Sequence, residues 1–174
     1  GLVSPTVNAV IQDSYGLMWI GTTNGLQKYD GYKFQTFKNI PGNTTSLQHN
    51  NVWSLFEDTD HDIWIGNSKG VSKYIRQKNE FKNYNFAPAF NFTLESEVAG
   101  FRFFKDSKNR LWANTLSAQL VQYDSVKDEW RRAKYDVPNM SEVDQITSSH
   151  DLVEDLKGNL WLGSFTNGLM RQGK

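Results

Sequence analysis

A chain of 174 residues with 19 Lys and Arg against 19 Asp and Glu carries no formal net charge, and the two signs are mixed along its length. That argues against a nucleic-acid or anionic-membrane partner, both of which select a one-sided basic surface. The absence of cysteine removes disulfide and thiol chemistry. No apolar run approaches the roughly 20 residues of a membrane-spanning helix, no signal peptide is visible, and a start at Gly1 instead of methionine suggests a processed protein or an excised piece.

In chain order, Val7 to Ile11 reads as a strand running into Asp13, followed by a turn and a second strand carrying Trp19. Asn24-Gly25 is a strong hairpin signal, Leu26 to Tyr29 a third strand, Asp30-Gly31 a second hairpin turn, and Tyr32 to Phe37 a fourth strand with alternating character. The polar stretch Pro41 to Leu47 connects to the next unit. That unit repeats the pattern: Val52 onward, Ile63-Trp64-Ile65-Gly66, Lys69 to Tyr74, and Glu80 to Tyr84. A third begins near Phe101, carries Leu111-Trp112-Ala113, and replaces the glycine of the motif with Asn114 and the Asn-Gly hairpin with Ser117-Ala118. A fourth starts near Ser148 and runs through Leu160 to Met170, with no fourth strand before the chain stops.

The repeated phrase is DSYGLMWIGT from Asp13, DTDHDIWIGN from Asp58, DSKNRLWANT from Asp106 and DLKGNLWLGS from Asp155. Intervals of 45, 48 and 49 residues separate Trp19, Trp64, Trp112 and Trp161, and the leading aspartates keep the same intervals. A period in the high forties belongs to repeat architectures, and the β-branched and aromatic content favours strands. The fourth residue of each turn, Gly16, His61, Asn109 or Gly158, is of a type that tolerates positive φ. The leading aspartate suits an Asx-turn. The reading is all-β: about four four-stranded antiparallel blades, the last incomplete, forming part of a larger β-propeller. Residues 1–174 make one partial domain, with blade units near 5–38, 50–85, 98–132 and 147–174. Asp13, Trp19, Asp58, Trp64, Asp106, Trp112, Asp155 and Trp161 are assigned structural roles.

The stretch from Val7 to Gly31, with Ile11, Asp13, Gly16, Trp19-Ile-Gly-Thr22, Gly25-Leu26 and Tyr29-Asp-Gly31, resembles the two-component regulator propeller repeat. Gly1 to Asn8 and Tyr29 to Phe34 are similar to the opening of the periplasmic sensor region of Bacteroidetes hybrid two-component histidine kinases. The resemblance implies a non-enzymatic, periplasmic ectodomain of an inner-membrane protein, responding to glycan-derived oligosaccharides and followed by further blades, a downstream sensor domain and a kinase. A protein-interaction scaffold and a propeller lyase are the alternatives.

No catalytic constellation, cofactor motif or metal-ligand spacing emerges from the residues. Asp58-Thr-Asp-His-Asp62 lacks the glycine and distal glutamate of a calcium loop and reads as a solvated turn. Two long connections, Phe86 to Phe92 and Lys134 to Met140, are of a length that often carries function; Phe86, Phe90 and Phe92 read first as a cover for the edge of a blade and second as aromatics available to a sugar face. Four residues before each anchoring aspartate lie Ala9, Ser54, Arg102 and Asp151. Arg102 and Asp151 are therefore read as an ion pair or, with His150 and Trp53, as a polar ligand site. Terminal blade faces with nothing beside them predict self-association.

Overall fold

The computed structural model of the protein describes residues 1–86, 102–114, 120–133, 135–136, 149–164 and 168–172. Phe90, Phe92, Ser117, Ala118 and most of both long connections lie outside the described residues. The chain divides into two compact units, Gly1–Ala99 and Gly100–Lys174. Among the described residues no helix is long and apolar enough to cross a membrane.

In the first unit, β1 (Val7–Gln12), β2 (Met18–Thr22), β3 (Gly25–Tyr29) and β4 (Phe34–Phe37) form one antiparallel meander. Strands β5 (Val52–Glu57), β6 (Ile63–Asn67), β7 (Gly70–Ile75) and β8 (Glu80–Asn85) form a second. The registers coincide: Trp19 faces Ile11 and Lys28, and Trp64 faces Phe56 and Lys73. The two sheets bury Trp19, Leu26, Leu47, Val52, Leu55, Ile63, Ile65, Tyr74 and Phe81 in one core, with Ala9, Ile11 and Phe37 at its margin. Trp19 stacks on Phe37 at 5.9 Å, and Phe81 meets Phe37 edge-on at 5.4 Å, geometries that aromatic quadrupoles favour.

In the second unit, β9 (Arg102–Lys105), β10 (Leu111–Asn114), β11 (Leu120–Asp124) and β12 (Glu129–Arg132) repeat the meander. The fourth sheet is built from β13 (Tyr135–Asp136), β14 (Ser149–Glu154), β15 (Leu160–Ser164) and β16 (Gly168–Gln172). Its outer place is filled from upstream, by β13 pairing with β16. An open edge would present unpaired backbone groups, and the connection between the third and fourth meanders reaches back to cover part of it. Trp112, Leu120, Leu152, Leu160, Leu162 and Met170 form the core of this unit.

The turns follow the residues that build them. Gly16, His61, Asn109 and Gly158 all adopt positive φ, at 81°, 63°, 62° and 78°. The first hairpin sits one residue earlier than the Asn-Gly signal suggests: Thr23 and Asn24 form the loop, and Gly25 is already paired with Thr22. Thr22 fixes this by accepting from the Asn24 amide (3.0 Å) and donating to the Gly25 carbonyl (2.8 Å). The second loop is longer than two residues because Asp30 Oδ1 accepts from the amides of both Tyr32 and Lys33, at 2.9 and 2.8 Å, so the strand begins at Phe34 and not Tyr32.

Candidate functional site

Each of the four phrases builds the same anchor. One carboxylate oxygen of Asp13 accepts from the amides of Tyr15 and Leu17, and the other from the Trp19 indole at 2.7 Å. Asp58, Asp106 and Asp155 repeat the arrangement, with indole bonds of 2.8, 2.9 and 2.8 Å from Trp64, Trp112 and Trp161. The six-residue spacing is what lets the turn close under the carboxylate while the returning strand delivers the indole N–H. A desolvated carboxylate needs further compensation, and the four units obtain it differently. Arg76 reaches Asp13 at 2.7 Å from the neighbouring sheet. Lys73 lies 3.0 Å from Asp58 and 3.2 Å from Asp62. Arg110 donates to Asp106 within its own turn, and Asn159 donates to Asp155 at 2.8 Å.

Burial raises the pKa of Asp13, but the Trp19, Arg76 and Leu17 hydrogen bonds outweigh it and leave the group below the ordinary carboxylate range. Asp106 is depressed against the same burial by Trp112 and Arg110, and Asp155 strongly so by Trp161 and Asn159. Depressed carboxylates stabilise the fold above the unfolded pKa of about 3.9, and that contribution is lost as pH falls from there through the folded values. Burial disfavours the Lys73 ammonium, yet its bonds to Asp58 and Asp62 raise its pKa. The acidic turn of the second meander is therefore occupied by a side-chain cation, which also sits 5.0 Å above the Trp64 ring.

A second recurring contact ties one sheet to the next. The Ser14 amide and hydroxyl donate to the two oxygens of Glu57, at 2.8 and 2.7 Å. Ser107 makes the same pair of bonds to Glu154, both at 2.7 Å. The first clasp also holds His61, whose Nδ1 lies 2.8 Å from the Ser14 hydroxyl. The signal in the sequence is a serine just after one anchoring aspartate and a glutamate just before the next.

The charged candidates lie elsewhere. Arg102 opens β9 opposite Asn114, and Asp151 lies on β14 opposite Gly163. Both are exposed, and no hydrogen bond or ion pair joins them among the described residues. Asp151 Oδ1 accepts from the Leu152 amide at 3.0 Å. His150 lies beside it on β14. Trp53 belongs to the first unit, on β5, where its indole donates to the Ser68 hydroxyl at 3.1 Å. Arg102 and Asp151 thus share equivalent inner strands of one unit, whereas Trp53 is engaged within another.

The two-component regulator propeller family matches residues 1–24 and 46–69. The histidine kinase P4 of Formosa agariphila is 40% identical over 47 residues, which is 27% of this chain and 3% of that relative. The extracellular domain of a hybrid two-component system from B. thetaiotaomicron shares the fold over 98% of this chain, with a TM-score of 0.76 and 22% identity, and the match spans 24% of that domain's chain. A catalytically inactive virginiamycin B lyase from Staphylococcus aureus, solved with quinupristin, matches 98% of this chain and 57% of its own with a TM-score of 0.61 at 11% identity. Residues 1–24 and 46–69 thus match the two-component regulator propeller repeat, and the four meanders have the fold of β-propeller blades.

Proposed function

We propose that this chain is part of an extracytoplasmic sensing propeller of a hybrid two-component sensor kinase, itself non-catalytic, facing the periplasm and responding to glycan-derived oligosaccharides. The observation that carries the reading is the tandem of regulator-propeller repeats, one stretch of which has a 40% identical counterpart in a histidine kinase. Every anchoring aspartate is already committed to an indole, backbone amides and a further donor, which leaves these groups to hold blades and not to turn over substrate. The exposed Arg102 and Asp151 supply a guanidinium and a carboxylate with no ion-pair partner in each other. A guanidinium suits the carboxylate of an acidic sugar.

A panel of neutral and acidic oligosaccharides, followed by thermal unfolding and by chromatography of the recovered sugar, tests this. A bound sensor ligand raises the melting temperature and is recovered intact. Arg102→Ala should remove the shift for acidic members while leaving the unliganded melting temperature in place. Consumption of a sugar would favour a lyase, and no shift across the panel would favour a scaffold.

A further inference from the structure

Among the described residues, the head of the first strand carries the same irregularity in three meanders. The register skips a residue between Val7 and Ala9 on β1, between Val52 and Ser54 on β5, and between Ser149 and Asp151 on β14. Asn8, Trp53 and His150 are the extra residues, each five places before its anchoring aspartate. A bulge of this kind bends the strand and re-aims one side chain out of the ladder. The backbone device is constant while the residue it presents changes from blade to blade, the pattern of a presenting position and not of a packing one.

In the first unit the bulges of β1 and β5 meet. Asn8 Nδ2 donates to the Val52 carbonyl at 2.8 Å and to Asn51 Oδ1 at 3.4 Å. With its oxygen turned to Asn8, Asn51 offers its amide hydrogens to Ser68, whose hydroxyl oxygen accepts from Asn51 Nδ2 at 3.2 Å and from the Trp53 indole at 3.1 Å. A serine hydroxyl has two lone pairs and one proton. Both lone pairs are taken, and the proton has no acceptor among the described residues, although Ser68 is only 5% exposed. A buried donor left in this way points at an acceptor that comes from outside the chain.

The side chains around this hydroxyl are uncharged and half open. Trp53 is half-buried and belongs to neither core. Among the described residues its ring meets no other ring and no cation, whereas Trp19, Trp64 and Trp112 each carry a Lys or Arg over the ring. The bond to Ser68 holds the indole by one edge and leaves its faces free of other rings. His49 Nδ1 accepts from the Asn51 amide at 3.1 Å, so the ring proton lies on Nε2, a second donor with no partner among the described residues. We infer that Trp53, Ser68 and His49 form a binding site for one pyranose ring of a neutral oligosaccharide. The apolar C–H face of the sugar lies on the electron-rich indole face, while the Ser68 hydroxyl and His49 Nε2–H donate to sugar oxygens. The choice of ligand class rests on the sensing role proposed above, and its place rests on the orphaned hydroxyl and the bulged indole.

Neutral trisaccharides of glucose, mannose, galactose and xylose, titrated into the nitrogen-15-labelled chain, test this through the indole signals. At least one sugar should move the Trp53 signal while those of Trp19 and Trp64 stay in place. In calorimetry Trp53→Ala should weaken that sugar's binding about tenfold, the worth of an aromatic stack, and Trp53→Phe should keep part of it. Ser68→Ala should weaken it about three- to tenfold through the lost donor. Thermal unfolding checks that each variant folds, and the wild-type titration decides the matter where one does not. A sugar that raises the melting temperature without moving the Trp53 signal, or binds folded Trp53→Ala as tightly as wild type, would sink the site and leave the sensing reading standing. If no trisaccharide moves the Trp53 signal, the Ser68 proton serves an ordered water only and the inference fails, whatever acidic sugars do at Arg102.

Discussion

The two units solve the same problem with different parts. In the first, the buried Asp13 receives its cation from the adjacent sheet: Arg76 bonds its carboxylate, donates to the His61 carbonyl and lies 4.6 Å over the Tyr15 ring. In the second, Asp106 receives Arg110 from its own turn. The core differs in the same sense, aromatic around Trp19, Tyr74 and Phe81 in the first and largely aliphatic around Trp112 in the second. The comparison separates what the repeat requires, an aspartate receiving an indole and two turn amides, from what it leaves open, the origin of the remaining donor.

Trp19→Ala should have the largest effect, about 3–5 kcal/mol in chemical denaturation, because it empties a fully enclosed site. Trp161→Ala, at a partly exposed position, should cost less; equal losses would mean that the anchor bond and not burial sets the energy.

Arg76→Ala and Arg110→Ala sharpen the contrast. Each should cost about 1.5–3 kcal/mol through a lost hydrogen bond to a charged group. Only Arg76→Ala should speed amide exchange along β1 and β5, because its contact joins two sheets. Matched exchange patterns in the two variants would show that Arg76 does not couple its sheets.

Gly21 and Gly163 occupy equivalent registers. A methyl group at Gly21 would lie 2.5 Å from a Val52 methyl, so Gly21→Ala should destabilise by about 1–3 kcal/mol. Gly163→Ala should be neutral or gain up to about 1 kcal/mol through the unfolded chain. Adding Val52→Ala to Gly21→Ala should recover part of the loss.

The repeat, the strand order within the first three meanders and the positive-φ turn positions are legible in the sequence, because they depend on residues a few places apart; the outer strand of the fourth, β13, is not, since it comes from upstream and pairs with the distant β16, Tyr135 against Gln172. Hairpin ends shift by one or two residues where the Thr22 and Asp30 side chains compete for turn amides. The Ser14–Glu57 clasp and the Arg76–Asp13 pair escape a sequence reading, since they join residues 43 and 63 positions apart and depend on which sheets pack together. For Arg102 and Asp151 the signal is a single repeat position. It locates both on equivalent strands without fixing the direction or reach of their side chains.

The anchor itself is tested most directly by the indole N–H signals of the protein in a nitrogen-15 spectrum, with hydrogen exchange followed at neutral pH. The signals of Trp19, Trp64, Trp112 and Trp161 should be protected and shifted together by hydrogen bonding to carboxylates, and each should lose that protection when its own aspartate, Asp13, Asp58, Asp106 or Asp155, is changed to alanine. Four indoles exchanging at the rate of a free tryptophan, or protection that persists after the aspartate is removed, would contradict the account.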